Sequence, residues 1–478
     1  MGERSNPTYL GFIIARKSVI FLFISILFIL SWFFILRSTN QNRVLAYVSV
    51  PEPTLLPQIN DVSNGSTMQN EGEQRGTERS NVKDKTLQCK GKVPPLAEPL
   101  KVYMYDMDPS FHFGLLNWKP ERDGVVWPDI RADNVPRYPG GLNLQHSVEY
   151  WLTLDLLSSE LPEASRSHRE AIRVKNSSEA DVIFVPFFSS LSYNRLSKVN
   201  HRQRKNMDKE LQEKTVKFVT AQREWKISGG SNHVIVAHHP NSMLTARLKL
   251  SPAIFILADF GRYPLRIANV EKDVVAPYKH LVRSYVNDTS DFDSRPVLLY
   301  FQGAIYRKDG GFVRQELYYL LKDEKDVHFE FGSVRNHGVS KAGEGMRGSK
   351  FCLNIAGDTP SSNRLFDAIA SHCVPVIISE KIELPYEDVL NYNEFCLFAR
   401  TSQALRKGFL VNMVRSVGRE EWRRMWGRLK EVERHFELGF PGREGDGVQM
   451  IWSAVRRKLP LVRMKVHRHQ RFSRSSSS

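Results

Sequence analysis

From Lys101 to Arg400, short continuous runs of apolar residues alternate with segments whose apolar residues recur every three to four positions. Runs of the first kind suit strands buried on both faces, and the second suit crossover helices, so the alternation predicts parallel sheets. In the first half, strands are predicted at Val102–Met107, Asp181–Phe188, His233–His239 and Ala253–Phe260, with helices around Leu144–Leu157 and Arg202–Thr220. A polar patch, Val286–Pro296, precedes a second half. It reads strand VLLYFQG, helix FVRQELYYLLK, strand VHFEFG, a short helix near Glu344–Gly348, strand KFCLNIAG, another helix, strand VPVIIS and finally EFCLFAR. Glu420–Leu438 and Val448–Leu459 have helical periodicity and close the chain. The class is α/β, with two Rossmann-like units in series and a cleft. Ligands of open parallel sheets bind beyond the carboxyl ends of the strands. Every loop that follows a strand is therefore a candidate site.

The N-terminus changes this picture. Ser18 to Leu36 is 19 residues without a charge, close to the ~20 apolar residues that span a bilayer. It is longer than the ~7–15-residue core of a cleaved signal peptide. An uncleaved anchor is expected, with Arg16 and Lys17 favouring a cytosolic N-terminus. The polar stretch that follows is too poor in apolar residues to fold and reads as a stem. The expected division is a tail at 1–17, a span at 18–36, a stem at 37–97, lobes at 98–290 and 291–400, and closing helices with a basic tail at 401–478. Sequons at Asn64, Asn176 and Asn287 agree with a lumenal body.

Residues 401–478 hold 18 Lys/Arg against 7 Asp/Glu, about +11 of the net +16. Such a tail suits an acidic polymer or anionic lipid, or is simply a solvated helix face; beside a membrane anchor, no nucleic-acid partner is expected. Of four cysteines, Cys352, Cys373 and Cys396 lie in apolar segments and read as buried thiols, although an oxidising lumen permits one disulfide.

Two strand-end loops carry the chemistry. GDTPSSNRLFDAIASHCVPVII, Gly357–Ile378, packs Thr359, Ser361, Ser362, Asn363 and Arg364 ahead of a helix. Thr359 as N-cap and Pro360 at the first helical position account for two of these. The remaining hydroxyls and guanidinium suit an anion. Asp367, one turn on, could accept hydrogen bonds from a ribose. YFQGAIYRKDGG places Arg307 and Lys308 after the first strand of the same sheet, without the spacing of a Walker loop or of GxGxxG. A diphosphate spanning both loops explains them together.

The block FGSVRNHGVSKAGEGMRGSKFCLNIAGDTPSSNRLFDAIASHCVPVIISEKIELPYEDVL, with VYMYDMDPSFHFGLL, EADVIFVPFFSSLS and YRKDGG, resembles the exostosin-type glycosyltransferases, glycosyltransferase family 47. It is most similar to the plant arabinan arabinosyltransferase-like branch, over roughly Lys101 to Arg400. The resemblance implies a GT-B fold with an acceptor-side first lobe and a nucleotide-sugar-side second lobe. It also implies an inverting mechanism, a UDP-sugar donor and residence in the Golgi membrane as a type II protein. An arabinose-, galactose- or xylose-like sugar would pass to a cell-wall polysaccharide such as pectic arabinan. Homo- or hetero-oligomers with other Golgi glycosyltransferases would be partners. Carried over, Arg307 and Arg364 contact the diphosphate, Ser361 and Ser362 sit at the helix mouth, Asp367 holds the ribose and Glu383 lines the donor pocket. Asp367 stands where animal relatives have Glu, and Gly343 where close plant relatives have Ser.

An acceptor hydroxyl needs a base from the opposite lobe. Asp106 and Glu149 are the first candidates, and His238, His239 and Asp259 also end strands. Asp106/Asp108 and Asp291/Asp293 are pairs that could hold a divalent cation, but an aspartate-rich chain produces such pairs by chance. With cations supplied by arginine, no metal or other cofactor is expected. A non-catalytic lumenal subunit that retains a partner enzyme is the alternative; a nicotinamide enzyme would require the missing GxGxxG. Protease added to sealed microsomes should leave the body intact until detergent is added. Digestion without detergent would overturn this orientation.

Overall fold

Val182–Val185, His233–Val236 and Ile254–Leu257 are apolar and buried at every position, which only the middle of a sheet covered on both faces provides. The computed structural model describes residues 98–473 apart from 132–133, 162–168, 199–205, 262, 308–310 and 335–336, together with Leu27 and Ser31. The expected span at 18–36 (those two residues aside), the tail, the stem and Asn64 lie outside the described residues. Among the described residues no helix is long and apolar enough to cross a membrane. Everything below lies in a single compact body, Lys90–Ser478, that contains both lobes.

The first sheet is wholly parallel, in the order β2-β1-β3-β4-β5-β6. Its strands are β1 (Leu100–Met104), β2 (Ala171–Val174), β3 (Val182–Val185), β4 (His233–Val236), β5 (Ile254–Leu257) and β6 (Val274–Val275). Helices α1 (Val148–Ser158), α2 (Ser189–Leu196), α3 (Met207–Ala221) and α4 (Arg223–Ser228) connect them. The edge strands β2 and β6 were not legible as strands, because one is half exposed and the other has two residues. The run expected as one strand over Asp181–Phe188 stops before Pro186, which has no N–H for the ladder.

The second sheet is also parallel, in the order β11-β10-β9-β7-β8. It contains β7 (Val297–Gly303), β8 (Val327–Phe331), β9 (Ser349–Ile355), β10 (Val374–Ile378) and β11 (Leu397–Phe398). Helices α5 (Phe312–Leu321), α6 (Gly338–Arg347) and α7 (Arg364–Ala370) link its strands. The start expected for α7, with Thr359 as cap, is corrected. Asn363 is the N-cap and the helix begins at Arg364. Pro360 instead packs on Gly261, where a Cβ would come within 2.4 Å of the proline ring.

Short helices α8 (Thr401–Ala404) and α9 (Phe409–Arg415) lead to α10 (Arg419–Val432), which buries Trp422 in the second core. The final helix, α11 (Gly447–Ser473), runs through Pro460 rather than ending at Leu459. It returns to the first core, where Trp452 packs on Phe184 and donates to Asp155. That core also takes in Leu365, Phe366 and Ile369 of α7, so apolar packing is continuous between the two sheets. Much of the basic tail is structural: Arg456 pairs with Glu170, Arg457 with Asp388, Arg463 with Asp181 and Lys465 with Glu271. Asn176 and Asn287 are exposed.

The cysteines depart from the expectation of free thiols. Cys352 on β9 and Cys373 at the entry to β10 form a disulfide 21 residues apart, and Cys396 is free and buried. Closing a loop of this size removes unfolded-chain entropy worth about 2–4 kcal/mol. Replacing both Cys352 and Cys373 by Ser should lower the urea-unfolding free energy by that amount; an unchanged midpoint would show that the bridge contributes nothing.

Candidate active site

The chain leaves β7 for β8 on one side and reaches β9 on the other, so the loops leaving β7 and β9 diverge. Such a switch point opens a crevice beyond the strand ends. Facing it are the exits of β4 and β6 and the turn before α1. A cavity of about 440 Å³ lies between them.

Its floor is cationic. Arg314 of α5 is 1 % exposed. Its guanidinium donates to three main-chain carbonyls, Ile355 at 2.8 Å and Ala304 and Ala356 at 3.1 Å each. Burial, with the positive charges of Arg364 and Arg307, pulls it down to about 9, so it stays protonated at neutral pH. Arg364 donates through Nε to the Gln302 carbonyl at 2.8 Å and lies over the Phe301 ring. Burial lowers its pKa too. Arg307 pairs with Asp358 at 2.8 Å. Among the described residues, three guanidiniums and two carboxylates, those of Asp358 and Asp367, line the cavity. Gly303 and Gly357 make this approach feasible, because a Cβ on either would fall 2.2 Å from Arg364 or 2.9 Å from Arg314.

The hydroxyl-rich loop serves the junction between the units as well as the cavity. Ser361 donates to Asp259 and accepts from the Tyr278 hydroxyl at 2.8 Å, both from the first unit. Ser362 accepts from the Arg364 N–H. Asp367 accepts from the Leu281 and Val282 N–H groups at 2.6 and 3.3 Å through Oδ1 and from Asn363 at 2.9 Å through Oδ2. Burial raises its pKa. A carboxylate oxygen accepts two hydrogen bonds, which leaves one position on Oδ2. Asn363 Oδ1 is buried without a partner among the described residues. Beyond β8, Val334, Val339, Ala342 and Met346 add an apolar strip. His146, His239, Asn241 and Tyr278 form the facing wall.

The structure thus gathers five of the sequence-predicted residues, Arg307, Ser361, Ser362, Arg364 and Asp367, on one cavity. Lys308 lies outside the described residues. Asp106, Glu149 and Glu383 are not on its wall, and the first two have other partners. Asp106 follows β1, on the side of the sheet away from β4–β6, and accepts from Arg173 at 2.6 Å and Trp127 at 2.7 Å. Glu149 is wholly buried and accepts from the Ser190 and Leu191 N–H groups at the start of α2 and from the Ser190 hydroxyl. Burial pushes its carboxyl up to about 8. Glu383 is half-buried in the turn after β10, off the cavity wall. In the Asp-x-Asp pairs, Asp108 caps a short turn, Asp291 accepts N–H groups of its own turn and Asp293 pairs with Arg419. Among the described residues, no group of three or more His, Cys, Asp or Glu side chains could hold a metal ion.

Sequence reasoning missed Arg314 and His146. Arg314 did leave a trace: it occupies the stripe shared with Leu317 and Leu321, at spacings of three and four. His146 left none, lying in a 3₁₀ turn before α1.

The family model for the Exostosin GT47 domain matches residues 96–414. The Probable arabinosyltransferase ARAD1 of Arabidopsis thaliana is 36% identical over 79% of this chain and 82% of its own length. The Probable glucuronoxylan glucuronosyltransferase IRX7 of Arabidopsis thaliana is 25% identical over 70% of this chain and 79% of its own. The Probable glucuronosyltransferase GUT1 of Oryza sativa subsp. japonica is 23% identical over 76% and 82%. Among solved structures, TarM aligns with a TM-score of 0.28 and 10% identity over 54% of this chain and 58% of that one, a likeness too distant to carry an argument.

Arg364→Ala removes a charge-assisted contact worth about 1.5–3 kcal/mol to a bound diphosphate. UDP affinity measured by calorimetry should fall roughly ten- to over a hundredfold. Glu149→Gln, at a helix start off the cavity, should leave it unchanged. The reverse ranking would dismiss the cationic floor as the anion site.

Proposed function

The chain belongs to the exostosin GT47 family of glycosyltransferases, and on that premise we propose that it transfers a sugar from a UDP-sugar to a cell-wall polysaccharide. The sugar is arabinose-like and the acceptor is of the pectic arabinan kind, a choice supported by the similarity to ARAD1. One observation carries the donor: in a chain of this family, three guanidiniums converge on the switch point of the second sheet. The diphosphate sits over Arg307, Arg314 and Arg364, with the base against the apolar strip of Val334, Val339, Ala342 and Met346. Asp367 takes a ribose hydroxyl on its remaining acceptor position. The arrangement of two parallel-sheet units around this cavity supports the GT-B reading.

In the inverting reaction, the acceptor oxygen attacks the anomeric carbon as the bond to the diphosphate breaks. Negative charge grows on the leaving phosphate oxygen, and fixed cations lower the barrier by meeting charge that was absent in the ground state. Arginine is suited to this, being always charged and presenting a planar fork to phosphate. A Golgi-lumenal, type II placement is supported by the disulfide, which belongs to an oxidising compartment, and by the exposed Asn176 and Asn287 sequons.

Incubation of the purified full-length chain with a panel of UDP-sugars and arabino-oligosaccharides should give transfer from UDP-arabinose that survives EDTA. UDP-sugar binding without turnover would instead favour the non-catalytic subunit. Loss in EDTA restored by Mn²⁺ would assign part of the charge neutralisation to a metal.

A further inference from the structure

The wall opposite the cationic floor contains a hydrogen-bond chain with a fixed direction. His238 is buried, and its Nε2 lies 3.2 Å from the Ala276 carbonyl. A carbonyl only accepts, so His238 carries its proton on Nε2 and presents Nδ1 as a lone pair. Burial, with a further push from His239, holds His238 down at about 3, so it is neutral. His146 Nδ1 lies 2.9 Å from that lone pair. The proton between the two nitrogens therefore belongs to His146, whose Nε2 is left unprotonated. His146 lines the cavity, and its Nε2 has no hydrogen-bond partner among the described residues.

The other proton acceptors on the wall are committed differently. His239 accepts the Asn241 N–H at Nδ1, so its Nε2 carries the proton and can only donate. Asp358 is paired with Arg307, and Asp367 belongs to the diphosphate side with three N–H donors upon it. Among the described residues, the wall apart from them offers histidine.

We infer that His146 is the general base of the transfer, held in the proton-accepting tautomer by the His238–Ala276 chain. The inference rests on the proposed UDP-sugar reaction and names its missing base. As the acceptor oxygen forms its bond to the anomeric carbon, its proton passes to His146 Nε2. The electron pair of the breaking carbon–oxygen bond leaves with UDP. The imidazolium then releases its proton to solvent after the products depart. His146 belongs to the first unit and the guanidiniums to the second, so base and leaving group lie on opposite walls, as inversion requires.

The test compares full-length wild type with His146→Gln, which keeps a hydrogen-bonding side chain and loses the basic nitrogen. The probes are UDP for binding, and UDP-arabinose with arabino-oligosaccharides for transfer. UDP affinity should be unchanged while kcat falls about 10²–10⁴-fold, the contribution typical of a general base. An equally active His146→Gln overturns the base assignment alone. A wild type that neither binds UDP nor transfers overturns the donor reading itself. ¹⁵N NMR of the wild type reads the tautomer independently of any variant. Protonated Nδ1 with bare Nε2 at His146 supports the inference, and the opposite tautomer sinks it.

Discussion

A guanidinium held beneath the cavity by three main-chain carbonyls sets the charge of its floor. Burying an unpaired charge costs several kcal/mol, and Arg314 offsets that cost only in part, through Ala304, Ile355 and Ala356. Those carbonyls lie at the carboxyl ends of β7 and β9, so the same side chain fixes both diverging loops. Arg364 and Arg307 add charge of the same sign within reach. Among the described residues, Asp358 and Asp367 are the carboxylates on the wall to set against them, and Asp367 is already occupied by three N–H groups. A multiply charged anion completes such an arrangement, and Gly303 and Gly357 leave it room to approach.

The second constraint is the junction between the two units. Ser361 reaches Asp259 and Tyr278, and Asp367 reaches the main chain at Leu281 and Val282. Residues chemically suited to a nucleotide therefore also hold the lobes together. Glu437, ahead of the last helix, reinforces the connection by accepting from Lys279, His280 and Ser284. Although burial opposes it, His280 and Lys279 hold its carboxyl down at about 2. The cavity wall and the lobe geometry share one set of hydrogen bonds, which couples the shape of the cavity to how the lobes stand.

The sequence determined the class and much of the cationic side of the cavity. Short continuous apolar runs suit sheets covered on both faces, and most strands and helices of the two lobes fell where the pattern placed them. Arg307, Arg364 and Asp367 were legible because they follow predicted strands closely, and a strand end in a parallel sheet has a known side. The family was legible only as a resemblance, carried by the contiguous block Phe331–Leu390.

What the chain alone left open depended on contacts distant in sequence. Whether Asp106 or Glu149 faces the cavity depends on strand order: β1 lies away from β4–β6, and Glu149 is consumed by the start of α2. The Cys352–Cys373 bridge depends on β9 and β10 being neighbours in register, although 21 residues separate the two sulfurs. Arg314 became a floor residue only because α5 packs its apolar stripe beneath the strand exits. His146 acquired a direction for its proton only when His238, 92 residues away, was placed beside it. Periodicity reports which face of an element is buried, but only the tertiary structure decides which buried polar groups meet, and the chemistry of this site lies in those meetings.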